Sequence, residues 1–212
     1  MRLPASAIVV LLFAALLTAC ASPAPRSAGS PSPSPSPSAP APAASADPQS
    51  TATSTVDSDD PSTWVITDRG IGPITLGAPF VDALALMPGD TRNDTDRCDS
   101  VAWWTEGAYD YDVYMAGTET APDRSPVSVV GTSAWADPAA SSGPRTTEGI
   151  GVGSSVDEVR AAYPDAVEVP GAVDSEIVHV QAGRIFFTYR EEPVITAVTV
   201  TTAEMPPYEL CG

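Results

Sequence analysis

Two stretches decide the reading of this chain: Gly149 to Asp165, GIGVGSSVDEVRAAYPD, and Gly70 to Asp90, GIGPITLGAPFVDALALMPGD. Aligned at Gly77 and Gly153, an offset of 76, they place Phe80 on Val156, Ala83 on Val159, Met87 on Tyr163 and Pro88 on Pro164. The apolar positions recur at i, i+3 and i+7, one face of an α-helix. Ser155 stands three residues before Glu158, the spacing of a capping box at a helix start. Pro88 and Pro164 end each helix. Helices this short are unstable alone in water, so each must pack on a neighbouring surface. The glycines of Gly149 to Gly153 also invite a nucleotide-loop reading. No buried strand precedes them, the spacing is G-x-G-x-G and no lysine follows, so they read as a turn entering a helix.

The downstream runs supply the surface. Val101 to Trp104, Tyr109 to Met115 and Val127 to Val130 read as strands after the first helix. Within Tyr109–Met115 the residues Tyr109, Tyr111, Val113 and Met115 share one face, with Asp110, Asp112 and Tyr114 on the other. After the second helix, Ile177 to Gln181, Arg184 to Arg190 and Val194 to Thr201 read as strands, the last β-branched throughout much of its length. Short connections favour antiparallel hairpins. The expected fold is α+β: two tandem repeats, 63–137 and 145–212, each a short helix on a small antiparallel sheet. Pro138 to Arg145 is the seam between them.

The N-terminal third is of another kind. Residues 1–19 read as an export signal, with Arg2 ahead of an apolar run too short to span a bilayer. Leu17-Thr18-Ala19-Cys20 resembles the bacterial lipobox. That resemblance implies cleavage before Cys20, a diacylated (palmitate-type) thiol and anchorage on the extracytoplasmic face of the cell membrane. From Ala21 to Ser62 the chain holds ten prolines, including the Pro31–Ser38 alternation of Pro and Ser. Together with Cys20 this is expected to be a disordered linker, 20–62, holding the domain off the membrane. Asp57, Asp59 and Asp60 lack the glycine of a calcium loop.

Export places the remaining cysteines, Cys98 and Cys211, in an oxidising compartment, where they are expected to form a disulfide. The chain has 27 acidic residues, ten arginines and no lysine, with a formal net charge of −17. Such acidity disfavours nucleic acid and anionic lipid, leaving the lipid anchor to hold the membrane. One histidine, His179, lies in a strand. With no second histidine and no free thiol, the common Cys-His dyad and histidine-metal cages are unavailable, and no serine sits in a G-x-S-x-G elbow. No cofactor, metal or catalytic residue is expected. Trp103, Trp104, Tyr109, Tyr111 and Tyr114 form the one aromatic concentration and are the expected binding face, with Trp104 and Tyr114 as its solvent-facing pair.

The duplicated turn and helix, each followed by strands, resembles exported α+β domains such as the β-lactamase inhibitory proteins and the small outer-membrane-assembly lipoproteins. The Ser/Pro/Ala linker, the G-I-G-V-G helix entry matched at Gly149, Gly151, Gly153, Val159 and Tyr163, and the late Cys211 resemble many actinobacterial lipoproteins. The resemblance implies architecture; no inhibitory loop residue can be placed on this chain. The expected function is a monomeric cell-surface lipoprotein that binds an extracytoplasmic protein or the cell wall without catalysis. A stoichiometric inhibitor of a secreted β-lactamase or protease is the alternative, and a carboxylate-dependent wall hydrolase using Asp110 and Asp112 a third.

Overall fold

The computed structural model describes residues 57–93, 98–107, 110–118 and 124–211. The signal segment, Cys20, nearly all of the linker and Tyr109 lie outside the described residues. The strands in chain order are β1 (Val65–Thr67), β2 (Gly70–Ile71), β3 (Ile74–Thr75), β4 (Arg92–Asn93), β5 (Val101–Thr105), β6 (Asp112–Gly117) and β7 (Val127–Ser133). They continue with β8 (Arg145–Thr146), β9 (Val167–Pro170), β10 (Val178–Ala182), β11 (Ile185–Tyr189) and β12 (Ala197–Thr201). Two helices, α1 (Phe80–Leu84) and α2 (Val156–Ala162), interrupt this series. The fold is α+β and mainly β.

Eight strands form one continuous antiparallel sheet in the order β4-β5-β6-β7-β12-β11-β10-β9. The strands of the two sequence halves meet where β7 pairs with β12, Val130 opposite Val200. A smaller sheet, β3-β2-β1-β8, contains a parallel pair, β1 with β8.

Strand alternation gives the long sheet two distinct faces. One row of register partners, Trp104, Val113, Thr132, Val198, Phe187 and Val180, runs across six strands and is buried throughout. On that face Phe80, Ala83 and Met87 from the α1 region and Val156 and Val159 from α2 join the core, with Trp64, Ile66, Ile71 and Ile74 from the small sheet. This burial stabilises helices of only five and seven residues.

The two helix entries are built alike. Gly77 and Gly153 have φ of 82° and 85°, the left-handed region that glycine enters without a Cβ penalty. Gly77 N–H donates to Val127 O, Ala78 O accepts from Val127 N–H, and Phe80 N–H donates to Ser125 O. Gly153 N–H donates to Ile195 O, Ser154 O accepts from Ile195 N–H, and Val156 N–H donates to Pro193 O. The sequence offset that aligns the two stretches therefore also aligns their backbone hydrogen bonds. The expected capping box is present: Ser155 Oγ accepts from Glu158 N–H and the Glu158 carboxylate accepts from Ser155 N–H at 2.7 Å. Helix α1 begins at Pro79 with no side-chain cap.

Candidate functional site

The opposite face of the long sheet carries the site. Its residues alternate with the buried row: Trp103, Tyr114, Gly131 and Thr199 in one register row, and Asp112, Ser133, Ala197, Thr188 and His179 in the next. Part of this face is covered by the chain beyond β12. Cys211 is joined to Cys98 by a disulfide, Cα–Cα 5.8 Å, across a sequence separation of 113. Leu210 packs with Trp103 and Tyr114 around Val101, Ala116 and Val129. The C-terminal segment is thereby held on β5, β6 and β7.

The part left open is a cleft of about 670 Å³ over the junction of β7, β12, β11 and β10. Its rim comes from three places in the chain: Trp135 just after β7, the 171–177 loop between β9 and β10, and Pro206 to Tyr208. That loop is shaped by its own bonds, Ile177 N–H to Asp174 O and Gly171 N–H to Ile177 O, and by a 3.1 Å ion pair from Arg190 to Asp174. Three large apolar side chains stand free at the mouth: Trp135 is 75% exposed, Val173 71% and Tyr208 57%.

The floor is polar, and two of its pairs are bonded within it. Tyr114 Oη and Thr199 Oγ1 share a 2.9 Å hydrogen bond, and His179 Nδ1 and Thr188 Oγ1 another of 2.9 Å. The tyrosine ring lies over Gly131, where a Cβ would stand 2.3 Å from Tyr114 Cζ and Oη. Burial lowers the His179 pKa and so favours the neutral ring, which meets Phe186 edge-on at 6.1 Å. Burial likewise raises the Tyr114 pKa. Each pair joins neutral groups to one another, and the Asp112 carboxylate lines the cleft beside them.

The aromatic concentration is divided between the two faces. Tyr114 forms part of the cleft and Trp103 packs beside it, half-buried. Trp104 corrects the expectation of a solvent-facing residue: it is 7% exposed, lies in the core edge-on to Tyr111, and donates from Nε1 to Asp90. Tyr111 is also core, 2% exposed. Adjacent strand residues point to opposite faces, so Trp103 and Trp104 could not both join one surface. The carboxylate pair is divided as well. Asp110 accepts from Ser142 Oγ at 2.8 Å, whereas Asp112 lines the cleft. Among the described residues no group of three or more His, Cys, Asp and Glu side chains is placed to hold a metal ion.

Trp135, Val173 and Tyr208 were not singled out by the sequence. Pro206-Pro207-Tyr208 carried a usable signal, because two prolines before a tyrosine after the last strand fix an extended segment that must lie on something. No protein family, curated protein or solved structure matches the chain.

Proposed function

We propose that this chain is an extracytoplasmic lipoprotein whose α+β domain binds a protein or cell-wall partner in the cleft on the open face of its long sheet, without catalysis. The observation that carries the reading is the cleft, where Trp135, Val173 and Tyr208 stand exposed around a floor in which Tyr114 is bonded to Thr199 and His179 to Thr188. An exposed indole and phenol beside a pocket are the side chains that dominate binding energy at interfaces. The reading includes the case of a secreted enzyme held inactive as the partner.

Leu17-Thr18-Ala19-Cys20 supports lipidation at Cys20, and the Pro/Ser-rich 20–62 supports a spacer between membrane and domain. The matched bonds at Gly77 and Gly153 support two helix-on-sheet repeats, 63–137 and 145–212, fused through β7 and β12. The contact surface is then Trp135, Val173 and Tyr208, with Tyr114 of the aromatic group in the floor beneath them.

Site-specific photocrosslinking in intact cells tests this. A benzoylphenylalanine at position 173 should trap a discrete partner, and one at position 157, on α2 at the other side of the sheet, should not. Crosslinks from 157 alone would overturn the assignment of the face. Labelled palmitate should enter the wild-type chain and not Cys20→Ala; incorporation into the variant would remove the anchor.

A further inference from the structure

We propose that the cleft takes a basic polypeptide segment, its apolar side chains against Trp135 and Tyr208 and its cations over the acidic hollow beside Glu191 and Glu192. The proposal rests on the binding reading above and names the chemistry of the partner.

The cleft does not end at Arg190. A second hollow of about 380 Å³ shares that residue and is bounded by Asp137, Glu176, Glu191 and Glu192. Among the described residues Arg190 is the one arginine lining either hollow, and its Nη1 is already 3.1 Å from Asp174. The four carboxylates of the second hollow therefore have no other cation among the described residues of its lining. The two hollows are also joined along the chain, since Trp135 belongs to the first and Asp137 to the second. An apolar cleft and a negative shelf thus adjoin at Arg190.

Complementary chemistry follows. Apolar side chains bury against the exposed indole, proline rings and Val173, while Lys or Arg side chains lie over the carboxylates. A cation over the Trp135 ring gains further attraction. Long-range attraction has the same sign, because the chain carries a net charge of −17 with no lysine. An acidic partner meets repulsion at the shelf, and a purely apolar one leaves the carboxylates unanswered.

The full-length lipidated chain, captured through its lipid on a zwitterionic bilayer sensor, provides the test. The analytes are the amidated peptides (Lys-Thr-Val)₃ and (Glu-Thr-Val)₃. The basic peptide should bind and the acidic one should not, and binding should weaken as salt shortens the Debye length from roughly 14 Å to 6 Å. Trp135→Ala should weaken binding by about tenfold, the loss of one aromatic anchor. The double substitution Glu191→Gln with Glu192→Gln should weaken it by about threefold to tenfold and flatten its salt dependence. Asp82→Asn with Asp157→Asn removes the same charge from the helices on the far side and should leave binding unchanged. Equal loss in that control would mean that net charge alone attracts the peptide, and would overturn the proposal. So would acidic-peptide binding, indifference to Trp135→Ala or no binding of the basic peptide. A partner crosslinked from position 173 together with no peptide binding would sink this inference and leave the binding reading standing.

Discussion

Tyr114 on β6 spans Gly131 on β7 to bond Thr199 on β12 at 2.9 Å, so one side chain ties together three strands, two of them on opposite sides of the junction between sequence halves. The absence of a side chain at 131 is what permits the crossing. Gly131→Ala puts a methyl group 2.3 Å from the ring, and the ring is hemmed by the Leu210 and Trp103 cluster, so it cannot swing away freely. The expected loss is about 1–3 kcal/mol by overpacking, larger than the gain of roughly 0.5–1 kcal/mol from replacing a strand glycine. Urea unfolding reads it; an unchanged midpoint would contradict the crossing.

The paired glycines respond differently to the same substitution. At Gly77 a Cβ meets nothing within 4 Å, so Gly77→Ala costs only the left-handed backbone penalty, about 1–2 kcal/mol. At Gly153 the Cβ would stand 2.3 Å from the Pro138 carbonyl oxygen, a backbone atom with little freedom to retreat. Gly153→Ala should lower the melting temperature more than Gly77→Ala. Equal shifts would show that the second turn relaxes around the clash.

Glu148 and Tyr163 couple the second glycine turn to the end of α2 and give a pH signature. The Tyr163 hydroxyl donates to Glu148 at 2.6 Å. This bond first, and then Thr147, lower the Glu148 pKa from 4.5 to about 2. A depressed carboxylate contributes stability above its unfolded value, and loses it as pH falls from 4.5 toward 2. Burial first, then the bond to Glu148, raise the Tyr163 pKa from 10.0 to about 12. That contribution is whole below pH 10.0 and is lost as pH rises through 12. Glu148→Gln should flatten the acid limb of a melting-temperature profile; a limb of unchanged slope would count against the bond.

The Cys98–Cys211 disulfide closes a long loop, worth about 4–5 kcal/mol in the chain-entropy description. Cys98→Ser with Cys211→Ser should lower stability by up to that amount and expose residues 202–211 to limited proteolysis. Dithiothreitol should bring the wild type to the behaviour of the double variant and leave the variant itself unmoved. Resistance of the reduced wild type to cleavage would show that Leu210 packing alone secures the segment.

Local signals were easy to read in this chain and distant ones were not. The helix starts follow from neighbouring residues, a glycine turn at each and Ser155 with Glu158 at α2; Pro164 follows the C-cap of α2, whereas α1 stops at Leu84, short of Pro88. Strands such as β6 and β11 declare themselves by alternation, and the disulfide by Cys98 and Cys211 being the two cysteines left once Cys20 is set aside. The parallel pairing of β1 with β8 and the meeting of β7 with β12 join residues far apart in sequence, and no local pattern encodes them. The cleft depends on both the second of these pairings and the C-terminal segment, so nothing local to Trp135 marks it as a rim residue. Alternation alone says that Trp103 and Trp104 face opposite ways; burial of Trp104 against Tyr111 decides which way each faces.

The junction of β7 with β12 also orders the making of the molecule. Within β4 to β7 and within β9 to β12 each strand pairs with its neighbour in sequence, so both flanks have low contact order and nucleate cheaply. Val130 finds Val200 only by closing the whole intervening chain, and Cys98 reaches Cys211 over a span longer still. Joining the two half-sheets is therefore the costly closure, and until it is made the facing sides of β7 and β12 are unpaired strand edges, the places where a second chain could be taken in error for the right partner.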